Sequence, residues 1–164
     1  MPKRRADTTE GAGGSDSRVD ELIDEYRTAL RDSLDGLSED EVRARLVPSR
    51  TTLLGLLKHV TYVEGVWFDQ AVTGRTAQEV GIATSPDRSF TLRQDDTVAS
   101  VTEAYRARWE ASRAALTGLA PDAVVTGRGE RAVWALRLQV LRELAHHCGH
   151  ADILREQVLD RRSR

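Results

Sequence analysis

The chain has 164 residues, 40% of them hydrophobic and 30% charged, with a formal net charge of −2. That balance suits one globular domain large enough to bury a core, and it excludes a wholly disordered chain. It also offers no general attraction to nucleic acid or anionic lipid, and a single cysteine, Cys148, excludes an internal disulfide framework.

Residues 1–17, MPKRRADTTEGAGGSDS, are rich in Gly, Ser, Thr and charge and lack the apolar run of a secretory signal. They are expected to form a disordered tail, with residues 18–164 as one domain. No stretch reaches the ~20 apolar residues of a spanning helix. Together with the lone cysteine, this reads as a cytoplasmic protein.

Val19, Leu22, Ile23, Tyr26, Leu30, Leu34 and Leu37 recur every three or four places and predict a first amphipathic helix. SEDEV at 38–42 reads as a capping box, with Ser38 as cap and Glu41 three places on. It opens a short helix to Leu46, which Pro48 stops. Residues 49–75 predict a second long helix, capped by Ser49, Thr51 or Thr52 and ended by a left-handed Gly74.

From Thr76 to Asp96 the periodicity disappears, and Gly81, Ser85, Pro86 and Asp87 punctuate the stretch. It is expected to be a long loop, either a lid over a site or a surface excursion. Residues 95–119 predict a third helix, capped by Asp95, Asp96 or Thr97 and ended by Gly118 and Pro121. After a loop over 120–131, the fourth helix runs from Ala132 to Leu159. No internal repeat and no alternating strand is legible. Four long amphipathic helices with one long crossover predict an all-α four-helix bundle.

Three of the four histidines, the cysteine and an acid fall within ELAHHCGHADILRE, residues 143–156. At about 100° per residue, Leu136, Val140, Leu144, Ala151, Leu154 and Val158 lie within roughly 60° of His147. His147 is therefore expected to face the core, with Glu143 on the same stripe, His150 at its edge and His146 turned away. A core carboxylate needs a partner. An Arg on a neighbouring helix is one solution. A divalent metal shared with His147, four residues along, is another.

His59, on the second helix beside Leu56, Val63 and Val66, would complete a two-His, one-carboxylate site with open positions: His59, Glu143 and His147. A core histidine can also be a plain packing residue, and His146 with His150 is a second pair of the same spacing. Cys148 is expected to pack. Glu64 is read as a salt-bridge partner, a proton carrier or a hydrogen-bond support behind a ligand, and Trp67, Trp109 and Trp134 as core or groove wall. Arg128 and Arg131 are either solvated or in contact with an anionic substrate. No phosphate loop, dinucleotide glycine pattern, CxxC pair or serine elbow occurs.

TTLLGLLKHVTYVEGVWF (51–68) and ELAHHCGHADILREQ (143–157) resemble the two signature segments of the DinB-like metal-binding four-helix family. The closer likeness is to its mycothiol-dependent transferase branch. It extends from Val19 to Leu159 and includes VPSRTTLLGL and DDTVASV. The resemblance implies His59 as the helix-two ligand and Glu143 and His147 as the helix-four ligands. His150, in GHAD, is then a further ligand, a substrate contact or a hydrogen-bond partner. Other branches carry histidine where Glu143 stands. A small residue is usual at position 148, so Cys148 adds a local redox liability.

The resemblance also implies a divalent metal, Zn2+ ahead of Ni2+, with mycothiol as cosubstrate. The expected function is thiol S-transfer. A small thiol bound as thiolate at an open metal position attacks an electrophile, while the 76–96 loop restricts water. His59, His147 and His150 are the expected catalytic residues. The alternatives are a metal-dependent amide or ester hydrolase and a non-catalytic metal-binding stress protein. Expected partners are a small-molecule thiol and an electrophile, with a homodimer allowed and neither nucleic acid nor membrane involved.

Overall fold

Four rods build the molecule, described here from a computed structural model over residues 12–163, with side chains from Arg18 onward. Most of the expected tail, residues 1–11, lies outside the described residues, as does residue 164; α1 (Ala12–Asp32) begins inside the stretch read as tail. After α2 (Glu39–Arg43), a second rod is formed by α3 (Leu53–Glu64), a π-helical segment (Gly65–Gln70) and α4 (Ala71–Thr73). The crossover carries α5 (Ala77–Val80) and α6 (Pro86–Ser89). The third rod is α7 (Val98–Leu116). A two-stranded antiparallel hairpin, β1 (Val124–Val125) with β2 (Arg131–Ala132), leads into α8 (Val133–Arg162).

α1 packs on α8, and α3 packs on both α7 and α8, so the rods enclose one core. The fold is an all-α four-helix bundle. Along α8 the apolar stripe read from the sequence is the buried face: Leu136, Val140, Leu144, His147, Ala151, Leu154 and Val158 are all buried, joined by Val133 and Cys148. They meet Leu30 and Leu34 of the α1 side, Leu54, Leu57 and Val60 of α3, and Tyr105 of α7. Among the described residues, no helix is long and apolar enough to cross a membrane.

Caps set the helix starts. Ser38 and Glu41 form the expected reciprocal box, and Thr52, of the three candidates, takes the Gly55 N–H with its hydroxyl. Thr97 does the same for α7 with Ser100. Gly36, Gly74 and Gly118 supply positive φ where chains leave helices. α2 stops at Arg43, short of Leu46, because Ala44 is already extended.

Several expectations need correction. The crossover is not structureless: Thr76 and Glu79 form a capping box for α5, and Ser85 caps α6 with Pro86 in its first turn. It is also seated on the second rod by two glycines. A Cβ on Gly55 would lie 3.1 Å from the Phe90 carbonyl oxygen, and one on Gly65 would lie 2.6 Å from the Ile82 side chain. The second rod is not uniformly α-helical, since Gly65–Gln70 takes the wider π form. The loop before α8 contains the small hairpin. Trp134 is half-exposed, at 51%, because it lies on the outer face of α8.

Candidate metal centre

His59 comes from the middle of α3, and Glu143 and His147 lie one turn apart on α8. Contact between these helices brings the three together: each offers a ligand atom, and those atoms all lie within 4.8 Å of one another. The rings of His59 and His147 stand edge to face with centroids 4.6 Å apart. His147 Nε2 faces Glu143 Oε2 at 3.6 Å, beyond hydrogen-bond reach. Around a tetrahedral ion with bonds of about 2.0–2.1 Å, neighbouring donors lie roughly 3.4 Å apart, so this separation and the two-imidazole, one-carboxylate donor set fit a divalent cation.

Electrostatics favour the same arrangement. Burial pushes the His59 imidazole down to about 3, with the nearby His147 adding to the effect. Burial also pushes His147 down to about 4, only partly opposed by Glu143. Both rings are therefore neutral near pH 7, the form that can donate a lone pair to a metal. Glu143 is 23% exposed, less deeply buried than its place on the stripe suggested. Its Oε1 accepts from Gln139 Nε2 at 3.0 Å and from Arg142 Nη2 at 3.3 Å, which turns Oε2 toward His147.

His150 is exposed and stands outside this trio; its Nδ1 lies 3.4 Å from His147 Nδ1. That geometry is a hydrogen-bond partner's. His146 is exposed, with its ring 4.4 Å from that of His150, so the second pair faces solvent. Cys148 points elsewhere: it is buried, its Sγ lies 3.4 Å from the Tyr26 carbonyl oxygen, and burial pushes its thiol up to about 11.

The remaining candidates are structural. Glu64 is fully buried in a two-point bond with Arg27. Arg128 donates to Gln70 Oε1, and Arg131 lies over the Trp67 ring at 5.2 Å. Trp109 is partly buried against Tyr105.

Two residues of the site escaped the sequence reading. Ser89 Oγ is 2.7 Å from His59 Nδ1, and the Phe90 ring stacks on His59 at 4.0 Å with the planes 12° apart. Both arrive at the end of α6, which the Ser85–Pro86 start signal could have revealed. Lys58 Nζ holds the segment through the Thr91 carbonyl, and Arg43 holds it through the carbonyls of Arg93 and Asp96. Phe90 also lines a cavity of about 480 Å³ with Arg43, Arg45, Arg50, Thr52, Thr91 and Leu92.

Residues 18–160 match the family model described as MST: Mycothiol-S-transferase, a span that takes in most of the chain. No curated protein matches it.

Proposed function

We propose, since the chain belongs to the mycothiol-S-transferase family, that it is a divalent-metal-dependent thiol S-transferase whose metal is held by His59, Glu143 and His147. The reading covers residues 18–164 as one catalytic domain. The observation that carries it is the convergence of those three side chains, from two helices, to within 4.8 Å. Zinc suits the donor set, with nickel second.

A bound divalent cation would supply positive charge that favours the thiolate of mycothiol over the thiol. The protein's own groups prepare the rest. His59 and His147 contribute no charge of their own, so Glu143 alone offsets the ion and the centre stays attractive to an anionic sulfur. Phe90 covers one face of His59 and keeps water from it. His150, at the rim with its Nδ1 3.4 Å from His147 Nδ1, is the group we assign to take the thiol's proton. The thiolate sulfur then forms a bond to the electrophilic carbon, and the leaving group departs with the electron pair of the bond it breaks.

The test is turnover of a chromogenic electrophile by metal-loaded protein, with and without mycothiol. Thiol-dependent turnover by wild type, lost in His147→Ala, supports the reading. Turnover that ignores the thiol favours hydrolysis, and wild-type rates equal to those of His147→Ala remove the proposal.

A further inference from the structure

Ser89 has one hydroxyl proton and two close neighbours. Its Oγ donates to the Pro86 carbonyl oxygen, an atom that can only accept. The same Oγ lies 2.7 Å from His59 Nδ1, with both residues buried. With the proton committed to Pro86, Oγ can only accept from the ring, so Nδ1 carries the hydrogen. In a neutral imidazole, Nε2 is then the nitrogen with a free lone pair. Phe90, the next residue, fixes the plane of the same ring by stacking on it at 4.0 Å.

We infer that Ser89 and Phe90 preset His59 as the Nδ1–H tautomer, leaving Nε2 to join Glu143 and His147, and that α6 is thereby the positioning element of the metal centre. This rests on the metal reading above and adds the residues that prepare it. The asymmetry with His147 sharpens the point. His147 Nδ1 faces His150 Nδ1 at 3.4 Å, and an imidazole can donate or accept there, so His147 has no imposed tautomer. His59 is the ligand set before the ion arrives.

α6 can perform this task because it is itself held. The Phe90 carbonyl sits against Gly55, one turn before His59, where a Cβ would lie 3.1 Å from it and force a shift. Arg43 and Lys58 bind the carbonyls that follow. The crossover, read from sequence as a lid or an excursion, is thus built into the first coordination partner.

The experiment uses full-length protein. Long-range proton–nitrogen correlation spectra of the metal-free protein at neutral pH report the His59 tautomer without any variant. The inference expects a protonated Nδ1 and a bare Nε2; the opposite tautomer in wild type overturns it. In Ser89→Ala the preference should disappear, and zinc affinity by chelator competition should fall about 10–100-fold. Ser89→Thr, which keeps the hydroxyl, should restore both readouts. Ser89→Ala with wild-type tautomer and affinity overturns the inference while leaving the metal reading intact. Wild-type zinc affinity in His59→Ala would overturn the metal reading itself, and the inference with it.

Discussion

Arg27 of α1 meets Glu64 of α3 in a two-point bond, Nε to Oε1 at 2.8 Å and Nη2 to Oε2 at 2.6 Å, with the side chains 4% and 0% exposed. Ser112 of α7 donates to the same carboxylate at 2.9 Å, and Asp24 accepts from Arg27 Nη1 at 2.8 Å. Arg27, Glu64, Ser112 and Asp24 are therefore paired across three rods. Removing one partner strands the other charge in the core. Arg27→Ala should lower the unfolding free energy by about 3–5 kcal/mol, while the double variant Arg27→Met, Glu64→Met should cost less than either single change. Urea unfolding checks this, and singles as stable as wild type would contradict it. Zinc stoichiometry should be unchanged in the double variant, because neither residue belongs to the trio.

The metal-free protein should lose stability as pH falls below neutrality. Unfolded histidine titrates near about 6.5, whereas native His59 and His147 are held down to about 3 and about 4. Between those limits the unfolded chain binds more protons than the native one, so acid favours unfolding. The slope approaches about 1.4 kcal/mol per pH unit for each ring. Denaturant unfolding across a pH series should show this slope, and His59→Gln should flatten it. A second loss follows at lower pH. Asp69 is held below the usual range: its burial opposes ionisation, but bonds from Arg75, Thr73 and Arg108 outweigh that. Its contribution is present above its unfolded pKa and disappears as pH falls through the depressed native value.

Glycines of similar appearance should respond with opposite sign. In Gly55→Ala the new methyl would lie 2.9 Å from Thr52 Oγ1 and 3.1 Å from the Phe90 carbonyl, so the cap and α6 must shift. A loss of about 1–3 kcal/mol is expected, together with weaker zinc binding. In Gly149→Ala, at an exposed position of α8, a Cβ would meet nothing within 4 Å. That change should raise stability by about 0.5–1 kcal/mol. Thermal melts and chelator competition on both variants test the pair.

Cys148 should be inert in the native protein. Burial pushes its thiol up to about 11, so the thiolate that reacts is scarce near neutrality. A disulfide reagent should label it only after denaturant is added. Rapid labelling of folded protein would reinstate the redox liability implied by the resemblance.

Much of the bundle was legible because helix phase is a local property. The α8 stripe from Leu136 to Val158 and the cap at Ser38 needed only spacing and residue type, whereas the α7 cap stayed open among Asp95, Asp96 and Thr97 until the structure chose Thr97. The same reasoning chose His59, Glu143 and His147, which the structure brings together. What escaped was set by tertiary contact. Nothing in the pattern announces the wider turn at Gly65–Gln70, since Phe68, Asp69 and Gln70 are all buried there by packing against α7 and the crossover. Ser89 and Phe90 are ordinary residues whose role exists only where α6 lands on Gly55. The outward turn of Trp134 follows from helix phase, but aromatic type argued for burial and prevailed.

The wide turn after Glu64 makes the second rod a shaft with a phase offset. One surplus residue rotates everything downstream by about 100° from where uninterrupted α-helix would leave it. Within the wide turn Asp69 meets Arg75 and Arg108, while His59, upstream, addresses α8. Deleting one residue between 65 and 70 would re-index the downstream half alone. The upstream end of the shaft thus carries His59, and the downstream end carries the ion pairs of Asp69.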